Sequence, residues 1–83
     1  MKTSPDVLVA QLAGEAVLLN LADKSYYRLN ETAAAIWASL EKGESRESIL
    51  DQLLSKYEVN EEVAREELDR TLSEFVDRGF VTI

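Results

Sequence analysis

The chain has 83 residues, of which 46% are hydrophobic and 30% are charged, and its formal net charge is −7. It contains no His and no Cys, which excludes an imidazole base, a thiolate, a disulfide framework and the ordinary transition-metal ligand sets, so we expect a function in binding without a cofactor. The negative charge disfavours nucleic acid and anionic membranes as partners, and it favours a basic or apolar partner.

The first residues of the sequence do not predict export or membrane insertion. Met1 to Asp6 has no basic region followed by an apolar run, and no segment approaches the roughly 18 apolar residues that span a bilayer. A secreted chain of this size usually needs disulfides, so the absence of Cys favours a reducing compartment. We therefore predict a cytoplasmic protein with a single domain over residues 1–83.

The first half of the chain predicts a small antiparallel sheet. Val7 to Leu12 and Glu15 to Asn20 are rich in Val and Leu, and Ala13-Gly14 between them is typical of a tight hairpin. A third strand follows over Ser25 to Leu29, with two adjacent tyrosines. These runs predict a meander of three strands.

From Asn30 the hydrophobic period changes from two residues to about 3.6, which indicates a helix. Asn30 is the predicted N-cap, and the helix is expected to end near Gly43. One face of this helix is apolar and contains Ala33, Ile36, Trp37 and Leu40.

Two more helices are predicted, with Ser45 and Asn60 as their N-caps and Gly79 at the end of the last one. The last helix is the longest, and its predicted apolar stripe consists of Val63, Ala64, Leu68, Leu72, Phe75 and Val76. A short extended tail, Phe80 to Ile83, closes the chain. The aromatic residues that we assign to the core are Trp37, Tyr57, Phe75 and Phe80.

Three strands followed by three helices predict an α+β fold with the outline of a winged helix-turn-helix. The last helix is a poor match for DNA recognition, because residues 61–78 carry seven acids and three bases. Each of those arginines lies four residues after an acid, so we predict the surface pairs Glu61–Arg65, Glu66–Arg70 and Glu74–Arg78.

The predicted strand Ser25 to Leu29 is the best candidate for a binding site. Its tyrosines are adjacent, so their side chains lie on opposite faces of the sheet. We expect Tyr27 and Leu29 to face inward and Tyr26 and Arg28 to face outward. If the strand lies at the edge of the sheet, an extended peptide can add to it as a further strand.

Backbone pairing alone would be too weak for such a site. About five added hydrogen bonds at a net ~1 kcal/mol each only match the cost of ordering a flexible peptide. An apolar wall beside the strand is therefore needed, and the stripe of the last helix is the predicted wall. The alternative is a charge-protected edge that binds nothing, because Lys24 and Arg28 are residues that commonly protect sheet edges.

The chain resembles the PqqD-like family, also called the recognition elements of ribosomally synthesised and modified peptides. The resemblance is carried by Tyr26-Tyr27-Arg28-Leu29-Asn30-Glu31-Thr32-Ala33-Ala34-Ala35-Ile36-Trp37, followed by Leu40, Gly43, Ile49, Leu53, Tyr57 and Gly79-Phe80-Val81. It implies a winged helix-turn-helix-like domain that binds the leader of a precursor peptide as an added strand. The peptide-binding residues that it implies are Ser25, Tyr26, Tyr27, Arg28 and Leu29 from the strand, and Asp69, Leu72, Ser73 and Val76 from the last helix.

Within the family, the chain is most similar to the free-standing leader-binding subunits of lasso-peptide biosynthesis. This similarity implies a non-catalytic chaperone that presents the precursor to a separate leader peptidase of the cysteine-protease type. A chaperone of the pyrroloquinoline-quinone pathway, serving a radical-SAM enzyme, is the alternative within the family. A winged-helix regulator and an interaction module whose acidic helix binds a basic partner are the alternatives outside it.

Overall fold

The computed structural model describes residues 1–12 and 15–82, so the predicted hairpin turn at Ala13-Gly14 lies outside the described residues. The elements in chain order are β1 (Lys2–Thr3), β2 (Val7–Leu12), β3 (Glu15–Asn20), β4 (Ser25–Leu29), α1 (Glu31–Glu41), α2 (Arg46–Lys56), α3 (Glu61–Asp77) and β5 (Val81–Thr82). The predicted order of three strands and then three helices is confirmed, and the fold is α+β.

The main sheet has the order β2-β3-β4, and both of its strand pairs are antiparallel. Its inner face packs on the helices, because Ala16, Leu18 and Leu29 are all buried on that side. The core continues into the helices through Trp37 and Phe75, whose rings meet edge to face with centroids 5.5 Å apart.

Each helix begins where a capping side chain satisfies a free backbone N–H. Asn30 Oδ1 accepts a hydrogen bond of 2.8 Å from the N–H of Ala33, and Asn60 Oδ1 accepts one of 2.8 Å from Val63. Ser45 Oγ does the same for the N–H of Ser48 at 3.1 Å. The three predicted caps are therefore confirmed.

Two features of the core differ from the sequence prediction. Val63 is 48% exposed, so the buried stripe of α3 begins at Ala64 and the assignment of Val63 to it was wrong. Tyr57 is only partly buried, although Trp37, Phe75 and Phe80 are fully buried as predicted. A helix of 3.6 residues per turn places Val63 about 100° away from Ala64, outside the arc that faces the core.

A second, two-stranded sheet joins the two ends of the chain, and it was not predicted. Lys2 pairs with Thr82 and Thr3 pairs with Val81. The N–H of Ser4 donates a further hydrogen bond of 2.9 Å to the carbonyl of Phe80. Strands of two residues are too short to have a periodic pattern, so this pairing has no signature in the sequence.

The surface ion pairs of α3 agree with the prediction in two cases and differ in the third. Arg65 binds Glu61 at 3.0 Å and Arg78 binds Glu74 at 3.4 Å. Arg70 pairs with Glu67, one helical position from the predicted Glu66. Both spacings bring side chains together on a helix, so sequence alone does not choose between them.

In residues 1–12 and 15–82, no helix combines the length and apolar character needed to cross a membrane.

Candidate functional site

The outer edge of β4 is open. β3 lies on one side of it, and within the described ranges 1–12 and 15–82 no strand pairs with its other side. The C-terminal strand β5 pairs with β1 and leaves this edge free. An open edge presents unpaired backbone N–H and C=O groups to an incoming extended chain.

The phase of the hydrogen-bond ladder tells which groups of β4 point outward. The N–H of Leu21 donates to the carbonyl of Asp6 at 2.8 Å, and the N–H of Val7 turns away from β3 to the carbonyl of Ser4 at 3.2 Å. Hydrogen-bonded and non-bonded pairs alternate along an antiparallel ladder. The register of β3 with β4 therefore directs the backbone groups of Tyr26 and Arg28 outward.

The side chains of β4 alternate as predicted. Tyr27 is half-buried and Leu29 is 2% exposed, so both face inward, whereas Tyr26 is 77% exposed on the outer face. Arg28 also faces outward and forms an ion pair of 3.0 Å with Glu15 on β3. Ser25 is exposed at the start of the strand.

The turn before β4 is fixed by Asp23, whose Oδ1 accepts hydrogen bonds from the N–H of Ser25 at 2.9 Å and from its hydroxyl at 2.6 Å. These bonds lower the pKa of Asp23, with the hydroxyl bond as the largest cause. Lys24 adopts a φ of 63°, in the left-handed region, which closes the turn. The first residue of β4 is thus held in place locally.

Tyr27 connects β4 to the C-terminal part of α3. Its hydroxyl donates a hydrogen bond of 2.6 Å to Glu74 Oε1, and the guanidinium carbon of Arg78 lies 4.4 Å from the centre of its ring. Phe80 meets the same ring edge to face at 5.9 Å. The hydrogen bond to Glu74 is the main reason that the pKa of Tyr27 is raised above its usual value, and burial contributes in the same direction.

The predicted helix residues lie together, but on another flank of α3. Asp69, Leu72, Ser73 and Val76 line a cavity of about 270 Å³ with Met1 and Arg46. Val76 lies two residues after Glu74, which is about 200° around the helix. The contacts of Tyr27 with α3 are therefore made by the opposite flank, and the structure brings the strand half and the helix half of the predicted site to different sides of that helix.

The four predicted residues of α3 also have different structural roles. Leu72 is 4% exposed and belongs to the core, and Val76 is half-buried. Asp69 accepts hydrogen bonds from Arg46 Nη2 at 2.6 Å and Nε at 2.9 Å, which tie α3 to α2 and raise the pKa of Arg46. Ser73 is exposed at the edge of the cavity.

An apolar pocket of about 220 Å³ lies on the flank of α3 that contacts β4. It is lined by Thr32, Leu53, Tyr57, Val59, Val63, Ala64 and Glu67. Glu67 precedes Glu74 by about two helical turns on that flank, roughly 10 Å along the axis, and Thr32 lies just beyond the end of β4. The strand edge and the pocket thus lie along the same flank of α3, and we call the two together the β4–α3 groove.

Sequence reasoning missed the pocket half of this groove. Val59 and Val63 are 43% and 48% exposed, so they are apolar residues that the core does not use. The available signal was the position of Val63, which lies outside the arc of the buried stripe. An apolar residue that the core does not need is a candidate for contact with a ligand.

The outer face of the main sheet is also unusually apolar for a solvent-facing surface. The register aligns Leu8, Leu19 and Tyr26 in one row across the three strands. Leu8 is 52% exposed, and Leu21 beside this row is 41% exposed. We call this surface the outer sheet face; its composition is typical of a surface that binds another protein.

Comparison with known proteins identifies a family and two similar solved structures. The family described as coenzyme PQQ synthesis protein D (PqqD) matches residues 15–81. One similar solved structure, described as TbiB1 in complex with the TbiA(beta) leader peptide, has a TM-score of 0.91 and 30% identity, and the match covers 96% of this chain and 93% of that chain. Another, a lasso peptide synthetase B1 complexed with the leader peptide, has a TM-score of 0.90 and 29% identity, over 99% of this chain and 96% of that chain.

No curated protein matches the chain. The family match nevertheless spans all of the sheet from β3 onward and all three helices. Both solved structures extend the likeness over β2 as well, at nearly full length. The chain belongs to the PqqD family.

Proposed function

We propose that this protein is a non-catalytic, cytoplasmic chaperone that binds the leader segment of a ribosomally made precursor, of the lasso-peptide kind, and presents it to a separate leader peptidase. The observation that carries the proposal is the open edge of β4 beside an apolar groove. The likeness to two proteins described in complexes with leader peptides supports it.

In this proposal the leader adds to β4 as a fourth strand of the main sheet. The outward N–H and C=O groups of Tyr26 and Arg28 offer up to four backbone hydrogen bonds, worth about 4 kcal/mol at ~1 kcal/mol each. Ordering a flexible peptide costs several kcal/mol. Backbone pairing therefore sets the direction and register of the leader, and affinity must come from side chains.

The pocket beside Val63 supplies that affinity. Burying one Leu-sized or Phe-sized side chain contributes about 1.5–3 kcal/mol. Such a side chain would contact Tyr57, Val59 and Val63, while the leader backbone pairs with β4. On the helix side we therefore favour the flank with Glu67 and Glu74 over the residues predicted from the sequence, Asp69, Leu72, Ser73 and Val76.

Presentation requires a second surface, and the outer sheet face is suited to it. An added strand would extend the same sheet, so half of the leader side chains would lie next to Tyr26 on that face. A peptidase bound to the outer sheet face would then contact the protein and its bound leader together. This arrangement accounts for an exposed apolar surface that is separate from the β4–α3 groove.

The family match itself favours one alternative, because the family is described by coenzyme PQQ synthesis. In that case the partner would be a radical-SAM enzyme and the leader site would be the same. Purified peptidase and radical-SAM enzyme, each tested for leader-dependent binding to this protein, distinguish the two assignments. A winged-helix regulator is disfavoured by the acidic surface of α3.

The test is a titration with fluorescein-labelled TbiA(beta) leader peptide, using two valines of α3 as a matched pair. Val63→Ser removes apolar contact in the β4–α3 groove, and Val76→Ser makes the same change on the opposite flank. We expect Val63→Ser to weaken binding about tenfold and Val76→Ser to have less than a twofold effect. The reverse result would move the leader to the cavity of Asp69 and Ser73.

A charge reversal tests the remaining alternative. Glu66 is exposed and belongs to neither flank site, so Glu66→Lys should leave leader affinity unchanged. If Glu66→Lys abolished binding while Val63→Ser did not, the protein would be an interaction module that recognises a basic partner through its acidic helix.

A further inference from the structure

We propose that Tyr27, Glu74 and Arg78 form a brace that holds the edge of β4 in its strand geometry before any peptide arrives. This inference rests on the proposed function, in which β4 is the strand that the leader joins. The three residues are hereafter called the Tyr27 brace. They act as positioning residues, because the groups that would bond the leader belong to Tyr26 and Arg28.

The contacts of the brace form a closed set. Glu74 Oε1 accepts the hydroxyl hydrogen bond of Tyr27 at 2.6 Å, and Arg78 Nε lies 3.4 Å from the same oxygen. The guanidinium of Arg78 also lies over the Tyr27 ring at 4.4 Å, which is cation–π geometry. Each member therefore contacts the other two.

Both helical members of the brace are placed by α3 itself. Glu74 and Arg78 are four residues apart, so they are neighbours on the helix surface. Arg78 is the C-cap residue of α3, where a cation interacts favourably with the helix dipole. The brace is thus attached to a helix whose buried residues include Leu68 and Phe75.

β4 needs such support because it is short and pairs with β3 along one side only. It has five residues, and three of them, Ser25, Tyr26 and Arg28, are exposed. Leu29 anchors its end in the core, and Asp23 fixes the turn before its start. Between these two points, Tyr27 makes the contact that ties the middle of the strand to a helix.

A preformed edge matters for binding because ordering costs reduce affinity. If the middle of β4 frayed in the free protein, the leader would have to order both strands at once. The Tyr27 brace lowers this cost, because β4 is already ordered when the leader binds. Its effect should therefore appear as a change in local opening of β4, separate from the stability of the whole domain.

The test combines Tyr27→Phe and Glu74→Gln, singly and together, with Glu61→Gln as the matched control. Glu61 forms the same kind of ion pair on α3, with Arg65, and is remote from β4. Amide hydrogen exchange is measured in the free full-length proteins at Leu29 and at position 27, whose N–H groups point to β3, and at Leu68 in the core. Affinity is measured with labelled TbiA(beta) leader peptide.

We expect Tyr27→Phe to speed amide exchange at position 27 and at Leu29 about fivefold, the change that corresponds to one lost hydrogen bond. Glu74→Gln should have a smaller effect in the same direction, because its amide oxygen still accepts the hydrogen bond of the hydroxyl but carries no charge. Exchange at Leu68 should not change, the double variant should resemble Tyr27→Phe, and leader affinity should fall in each variant by a factor similar to its change in exchange. Glu61→Gln should have none of these effects.

Unchanged exchange in β4, or an equal increase at Leu68, would overturn the brace. The exchange experiment needs no peptide, so its result stands apart from the function. If the unmodified protein showed normal β4 protection but no affinity for any leader, the proposed function would fail while the brace remained.

Discussion

The N–H of Leu21 donates its 2.8 Å hydrogen bond to the carbonyl of Asp6, one residue pair before the first pair of the β2–β3 ladder. This single bond fixes the phase of both ladders in the main sheet, because bonded and non-bonded pairs alternate. As a result, the backbone N–H groups of Arg28 and Leu29, which are neighbours on β4, point in opposite directions. The N–H of Arg28 faces solvent, and the N–H of Leu29 bonds to β3.

Arg28→Pro should therefore fold normally and bind the leader poorly. Proline is tolerated in an edge strand where its missing N–H faces solvent. The variant loses one hydrogen bond to the leader, which is about 1 kcal/mol or about fivefold in affinity. Arg28→Ala is the control, since it also removes the exposed ion pair with Glu15 but keeps the N–H. Circular dichroism, thermal melting and leader titration separate the two, and equal affinities would contradict strand addition to β4.

Leu29→Pro should lose the fold together with binding. It removes an N–H that bonds to β3, and it truncates a side chain that is 2% exposed, which alone costs about 2–5 kcal/mol for a buried leucine. A domain of this size has a total stability of only about 5–10 kcal/mol. A cooperative melt of Leu29→Pro with retained leader affinity would mean that the ladder phase is wrong.

The helix boundaries were predictable because each one is set by local chemistry. Asn30, Ser45 and Asn60 occupy N-caps, and Gly43 and Gly79 follow α1 and α3 with φ of 78° and 76°, a region that glycine adopts without strain. These signals lie within a few residues of the boundary that they mark. The two-stranded sheet at the chain ends depends on residues that are far apart, so no local pattern indicated it.

The flank of α3 that lies next to β4 was not predictable for a related reason. The buried stripe of α3 has two flanks, and periodicity identifies the stripe without telling which flank lies next to β4. That choice depends on where Tyr27 packs, which is a long-range contact with Glu74. The strand side required only the alternation of side chains, so the inward Tyr27 and outward Tyr26 were predicted correctly.

Asn30→Ala should destabilise the domain by about 1 kcal/mol, the usual cost of losing an N-cap. For a domain of this size the melting temperature would fall by roughly 4–8 °C. Asn30 also joins β4 directly to α1, so leader affinity should decrease as well. Ser45→Ala removes the matching cap of α2, remote from the β4–α3 groove, and should lower the melting temperature without changing affinity. Equal affinity losses in both variants would indicate a general stability effect.

Leu8→Lys should separate presentation from leader binding. Leu8 is 52% exposed on the outer sheet face, so a charge there should change the stability of the domain by less than about 0.5 kcal/mol. Leader affinity should be unchanged, and leader cleavage by a partner peptidase should slow about tenfold, as expected when an apolar contact is lost from an interface. Gln11→Lys is the control, because Gln11 is exposed on the same strand and its side chain belongs to the other face. Normal cleavage with Leu8→Lys would remove the outer sheet face from the proposal.

Tyr27 should affect the pH dependence of the domain's stability only at alkaline pH. Its hydrogen bond to Glu74, and then its burial, raise its pKa above the usual value of 10.0. A raised pKa in the folded state means that the neutral phenol is the form that folding favours. The contribution of Tyr27 to the free energy of unfolding is therefore complete below pH 10, and it is lost as the pH rises through the pKa of the folded state.

Tyrosinate absorbance during an alkaline titration measures this directly. The chain has three tyrosines, so the titration of Tyr27 is obtained by difference from Tyr27→Phe. Glu74→Gln should bring the Tyr27 midpoint back toward its usual value, because the amide accepts a weaker hydrogen bond from the phenol and lacks the charge that opposes the phenolate. Since neutral pH lies far below this transition, leader affinity should be constant from about pH 6 to 9 with respect to Tyr27. A midpoint that stays the same in Glu74→Gln would mean that the hydrogen bond between β4 and α3 does not hold the phenol in solution.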